Sequence, residues 1–190
     1  MSKSLCESPT AAYGEEENPA WLKYYKRQLR NYGIKNIEEL DIKGKTKSEL
    51  EKILKNKDII FVNGGNTCYL LHYIRKTGFD QIVKRMLRGG KLYIGVSAGS
   101  IVCWPTIKFG SRTLDRNKIG LGDFRGLGLV GFTIYPHYEG KDYRFVKRES
   151  EKLEIPVVAI NNKQAILIEG RKIRVVGEEK KVFFNGFSEN

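Results

Sequence analysis

KLYIGVSAGSIVCW, residues 91–104, decides how this chain is read. An apolar run, LYIGV, enters Gly95-Val96-Ser97-Ala98-Gly99 and leaves it into a second apolar run. A short apolar run bounded by turn residues fits a buried strand, so a strand is expected over residues 92–96. A helix should follow Ser97 and stop near Trp104, because Pro105 disfavours helix in the residue before it. The glycines fit two outcomes. They serve a tight structural turn, or they form a G-x-S-x-G elbow that exposes a serine nucleophile on a strained strand-to-helix turn. In the second case Ser97 sits at a helix N-terminus, where free N–H groups and the dipole favour developing negative charge.

Outward from that stretch, strands and helices alternate. Upstream, a helix is expected over residues 20–32, a short strand at 37–42, an amphipathic helix at 46–55 and a buried strand, DIIFV, at 58–62. That strand runs into Asn63-Gly64-Gly65-Asn66-Thr67 and helices at about 68–76 and 79–88. Downstream, residues 106–128 read as a long loop, a length that is often functional. A strand at 129–138 then ends in Tyr135-Pro136-His137-Tyr138, a helix fits 142–153, and PVVAI, QAILIE, KIRVV and KVFFN close the chain as short strands. Helices between strands, then hairpins, indicate an α/β domain with a mostly parallel sheet flanked by helices and C-terminal β-hairpins. A single domain over residues 1–190 is expected, with no internal repeat.

Composition narrows the function classes. No apolar run approaches the roughly 20 residues that a membrane-spanning helix needs, and MSKSLCESPT lacks the apolar segment of a secretory signal. Cys6, Cys68 and Cys103 are widely spaced with no CxxC pair, which points to reduced thiols in a cytoplasmic protein and to no zinc or other metal site. The net charge is +12. A basic surface concentrates anions, yet the lysines are interspersed with glutamates, as in KGKTKSELEKILKNKD (43–58), without an arginine-rich block. That pattern reads as a solvated surface. Neither nucleic acid nor membrane is expected as a partner, and the charge can still steer an acidic substrate.

Three strand ends carry chemistry, and ligands of open α/β sheets bind beyond such ends. Glycines in Asn63-Gly64-Gly65-Asn66 let backbone N–H groups approach a reacting carbonyl, as an oxyanion hole requires; a tight turn is the plainer alternative. The segment lacks the Gly-Lys-Ser/Thr of a P-loop. His137 ends its strand, whereas His72, the other of two histidines, falls inside a helix. At that position His137 can act as general base for Ser97 and then as acid for the leaving group. Asp115, Asp123, Glu139 and Asp142 are the available acidic orienters.

GGNT at 64–67, IGVSAGS at 94–100, Pro105-Thr106-Ile107 and PHY at 136–138 resemble the peptidase E (alpha-aspartyl dipeptidase) family of serine peptidases. Cyanophycinase is a more distant relative. The resemblance runs from about residue 9 to the C-terminus. It implies a flavodoxin-like fold similar to class I glutamine amidotransferases, with serine in place of their nucleophilic cysteine. It also implies hydrolysis of dipeptides with an N-terminal aspartate, a small acidic peptide substrate, and no metal or organic cofactor; a homodimer is compatible with it.

By that resemblance Ser97 is the nucleophile and His137 its histidine. Aligning forward from Ser97 puts Arg112 at the acid position and aligning backward from His137 puts Asp115 there. Arginine cannot orient a protonated imidazole, so Asp115 is expected, with Asp123 as the second choice. Gly64 or Gly65 and Ala98 would supply backbone N–H donors to the oxyanion. Asn66 and Arg144 are the candidate substrate-binding residues, since a guanidinium grips a carboxylate bidentately.

The chain also departs from the family, whose members begin with an apolar strand and helix. That first β-α unit is absent here, and the next strand is reduced to about Ser4–Ser8 with Glu7 inside it. An internal sheet position is therefore expected to be empty, leaving backbone groups unpaired. A member that has lost activity and serves as a binding or regulatory module is the alternative function. A general α/β-hydrolase esterase fits poorly, because only 40 positions separate Ser97 from His137.

Overall fold

A computed structural model describes residues 3–17, 19–109 and 115–190. Its central sheet contains β1 (Ser4–Ser8), β2 (Asn36–Glu39), β3 (Ile59–Val62) and β4 (Leu92–Gly95), all parallel, in the order β2-β1-β3-β4. Parallel neighbours need crossover connections. These are supplied by α2 (Leu22–Asn31), α3 (Lys47–Leu54) and the pair α4 (Thr67–Thr77) and α5 (Phe79–Arg88), while a short α1 (Thr10–Tyr13) follows β1 directly. The expected empty position is not found. β1 is paired with β2 on one side and β3 on the other, so its backbone groups are used.

Alternation of side chains along a strand splits β1 and β3 between two cores. Cys6, Ile60 and Val62 face Leu50, Leu54, Leu70, Ile74, Phe79 and Ile82 from α3, α4 and α5. Leu5, Ile59 and Phe61 face Leu29 of α2. α3 begins with a capping box: the Thr46 side chain accepts from Glu49 N–H, and Glu49 Oε2 accepts from Thr46 N–H. Gly78, with φ 71°, ends α4 in the left-handed region that glycine adopts without a steric penalty.

Glu7 lies on β1 and is fully buried. Asn63 Nδ2 donates to its Oε1 at 2.8 Å, and Lys26 Nζ lies 3.8 Å from Oε2. Neither Glu7 Oε2 nor Asn63 Oδ1 has a hydrogen-bond partner among the described residues. Burial pushes the Glu7 carboxyl above its ordinary value, with Asn63 and Lys26 pulling the other way.

After β4 the helix is shorter than expected. α6 covers Ala98–Ile101, and the chain continues to Trp104 in tight turns, with Cys103 N–H donating to Ser100 and Trp104 N–H to Ile101. The next strand is also shorter than residues 129–138: β5 is Thr133–Tyr135. The reason is where the preceding backbone bonds go. The N–H groups of Leu127, Gly128 and Leu129 donate to the carbonyls of Val102, Trp104 and Cys103, which commits that stretch to the end of α6. The ends of the long loop are tied together, with Ile107 N–H donating to Phe124 and Gly126 N–H to Pro105.

Following β5, α7 (Tyr143–Glu151) leads to β6 (Val157–Ala159), which lies parallel to β5. β7 (Gln164–Glu169) and β8 (Lys172–Gly177) form the expected hairpin, and β9 (Val182–Phe184) returns antiparallel to β6. One apolar cluster runs from Cys6 to Phe187. Among the described residues no helix is long and apolar enough to cross a membrane.

Candidate active site

Register brings the site residues together. Ser8, Val62 and Gly95 stand in line across β1, β3 and β4, so the segments after these three strands leave the sheet at one edge. The elbow follows immediately. Ser97 has φ 47° and ψ −109°, a conformation that costs of order 1–3 kcal/mol for a non-glycine residue. Its neighbours show why they are glycine. A Cβ on Gly95 would lie 2.5 Å from the Gly99 carbonyl oxygen, and one on Gly99 would lie 2.2 Å from that of Val62. The turn is braced by Ser100 Oγ donating to Gly95 O and by Tyr93 OH donating to Gly99 O, each at 2.6 Å.

The glycine loop passes directly beside the serine. A Cβ on Gly64 would stand 3.1 Å from Ser97 Cβ, and one on Gly65 (φ 126°) would meet the Ala11 backbone at 2.3 Å. Asn63 N–H donates to Ser8 O and Asn66 N–H to Ala11 O, holding the loop against the end of β1. The N–H groups of Gly64, Gly65 and Ala98 donate to no backbone carbonyl among the described residues.

His137 closes the arrangement from the other side. It has φ 57°, and its Nε2 lies 3.1 Å from Ser97 Oγ. Serine and imidazole are thus within hydrogen-bond reach, which is the geometric requirement for a base-activated nucleophile. The second ring nitrogen meets an amide and not the expected Asp115. Nδ1 lies 2.6 Å from Oδ1 of Asn162, in the turn between β6 and β7. Asp115 is engaged elsewhere, its Oδ2 accepting from the Thr67 N–H at the start of α4. Asp123 grips Arg125, whose guanidinium holds the carboxyl well below the usual range. Glu139 and Asp142 cap the turn after His137 through each other's backbone, and Arg112 lies outside the described residues.

The two candidate substrate-binding residues differ in their surroundings. Asn66 serves the structure, its Oδ1 accepting from Tyr69 N–H to cap α4 and its Nδ2 donating to Arg116 O. Arg144 stands exposed on the first turn of α7, seven residues after His137. Burial pushes the Cys6 and Cys103 thiols up to about 12 and raises Cys68 as well. A protonated buried thiol is inert. Asn162 was missed because its role depends on a neighbour 25 positions away. The available signal was its place just after a strand adjacent to that of His137.

A serine elbow and a glycine loop at the end of the central parallel sheet, with a histidine from the end of β5 in a second sheet within hydrogen-bond reach, define a hydrolase-type site. Comparison with known proteins gives the family. The model of peptidase family S51 matches residues 2–176, and the chain belongs to that family. It is 32% identical to an uncharacterized peptidase of Listeria monocytogenes over 91% of this chain and 85% of that protein. Peptidase E of Shewanella amazonensis is 30% identical, over 81% of this chain and 68% of its own length. The crystal structure of a candidate peptidase E from Listeria monocytogenes EGD-e superposes with a TM-score of 0.80 at 30% identity, covering 93% of this chain and 87% of that one. A peptidase from an acI-B1 Actinobacterium has the same fold, with a TM-score of 0.71 at 21% identity over 98% of this chain and 79% of its own.

Proposed function

We propose that this family S51 peptidase is a cytoplasmic serine peptidase that hydrolyses small peptides, foremost dipeptides with an N-terminal aspartate, through an acyl-enzyme. The observation that carries the reading is the 3.1 Å approach of His137 Nε2 to Ser97 Oγ on a strained elbow. Ser97 Oγ attacks the peptide carbonyl carbon while His137 Nε2 takes its proton. The tetrahedral oxyanion is held by the N–H of Ala98 and one from Gly64 or Gly65, and removing one such donor typically costs about 3–4 kcal/mol. His137 then protonates the departing amine, and water, deprotonated by the same nitrogen, hydrolyses the ester. For an acidic substrate side chain, Arg144, exposed seven residues after His137, is the candidate cation, and the net charge of +12 favours approach of an anion.

The test is hydrolysis of Asp-Leu by purified protein, compared with Ser97→Ala, together with labelling by a serine-directed phosphonate. Activity and a stoichiometric adduct that both vanish in Ser97→Ala are expected. Equal turnover by the variant removes Ser97 from the mechanism, and a folded protein that takes no label is a binding module instead.

A further inference from the structure

We infer that Glu7 is a positioning residue for the glycine loop: from inside β1 it holds Asn63, and through Asn63 it sets Gly64 and Gly65 beside Ser97. The inference rests on the function proposed above. Glu7 is fully buried, and among the described residues only Oε1 of its carboxyl has a hydrogen-bond partner, Asn63 Nδ2 at 2.8 Å. Lys26 Nζ lies 3.8 Å from Oε2 and donates to Glu39 instead. Burying an acid without a close ion pair is costly, so stability gives no reason for a glutamate in this strand.

The glycine loop supplies the reason, because it is held by its two ends. Glycine has no side chain to fix its backbone, and Gly65 has φ 126°. The Gly64 and Gly65 N–H groups donate to no backbone carbonyl among the described residues. Their direction is therefore set by Asn63 on one side and Asn66 on the other. Asn66 is fixed by Ala11 O, by the start of α4 and by Arg116 O. Asn63 is fixed by two consecutive residues of β1, its N–H donating to Ser8 O at 3.0 Å and its side chain to Glu7. The main-chain bond locates Asn63, and the side-chain bond restrains its rotation next to Gly64.

Glu7 acts on the reaction through geometry. A Cβ on Gly64 would stand 3.1 Å from Ser97 Cβ, so a shift of the loop moves its donors relative to the oxyanion formed when Ser97 attacks. Such donors act on the tetrahedral state more than on the bound peptide. Glu7→Leu removes the acceptor, and the leucine shares its face of the sheet with Leu5, Ile59 and Phe61. It is expected to lower kcat by about 10²-fold, the loss that a misplacement of about 1 Å brings, with KM close to the parent's. Glu7→Gln keeps an oxygen acceptor on a side chain of the same length and should restore most of that loss.

The amide signals of Gly64 and Gly65 in a ¹H–¹⁵N spectrum read the loop without substrate. They should shift in Glu7→Leu and return toward the parent's positions in Glu7→Gln. Asn63→Ala removes the same bond from its other end and should reproduce both the kcat loss and the shifts, which covers the case of a Glu7→Leu protein that does not fold. A parent-like kcat in folded Glu7→Leu or Asn63→Ala, or a loss that Glu7→Gln fails to restore, overturns the inference even if the protein is an active peptidase. In a protein that hydrolyses no peptide, shifts that Glu7→Gln reverses uphold the anchoring and overturn the proposed function, and unmoved signals overturn both.

Discussion

Replacing Gly99 by alanine puts a Cβ 2.2 Å from the Val62 carbonyl oxygen, 2.9 Å from its carbon and 3.1 Å from Val62 Cβ. An ordinary carbon contact is about 3.5 Å, so β3 and α6 must separate by about an ångström. Neither side yields easily, because Val62 O also accepts the Val96 N–H at 3.0 Å and Gly99 O accepts Tyr93 OH. Overpacking of this kind costs roughly 1–3 kcal/mol, which for a chain of this length lowers Tm by about 2–12 °C. Because Ser97 starts the displaced helix, its Oγ moves relative to His137 and the glycine loop, and a misplacement of about 1 Å costs about 10²-fold in rate. Urea unfolding with an unchanged m-value, kcat/KM on Asp-Leu and the rate of phosphonate labelling measure the two effects. Gly122→Ala is the control, since a Cβ there meets nothing within 4 Å. A Gly99→Ala protein with the parent's midpoint and labelling rate would show that the elbow does not depend on this contact, and the argument from the glycines would fail.

Two other substitutions probe the surroundings. The Glu7 carboxyl is raised above its ordinary 4.5 by burial, so the stability it contributes is complete below that value and is lost as pH rises through the raised one. Glu7→Gln is never charged, so it should be more stable than the parent at pH 7, with the gap closing toward pH 4, and a gap independent of pH in thermal melts would contradict this. Asp115→Ala frees the Thr67 N–H and should cost about 0.5–2 kcal/mol, as loss of a helix N-terminal acceptor does. Phosphonate labelling of Ser97 should survive that change, and its loss in a folded protein would return Asp115 to the catalytic set.

Most elements could be read from the chain because their causes are local. The capping box at Thr46 and Glu49, the left-handed Gly78 and the apolar run of β3 each act within a few residues, and the corresponding elements appear where those signals lie. Reading failed where backbone hydrogen bonds went to distant partners. The strand expected over 129–138 starts late, because the N–H groups of Leu129 and Val130 go to the Cys103 carbonyl just past α6. Glu7 looked out of place in a strand, and the reason it is tolerated, Asn63 just past the end of the neighbouring strand, lies 56 positions away.

The site divides in the same way. Pattern alone placed Ser97, His137 and the Gly64-Gly65 loop at strand ends; the central parallel sheet gathers the serine and the loop at one edge, while His137 arrives from β5 of a second sheet. The partner of His137 could not be reached by that route. Asp115 has the right chemistry and lies between the two residues in sequence, but α4 takes its carboxylate. Asn162 is assigned by the β5–β6 ladder, a pairing between segments whose register depends on the packed fold.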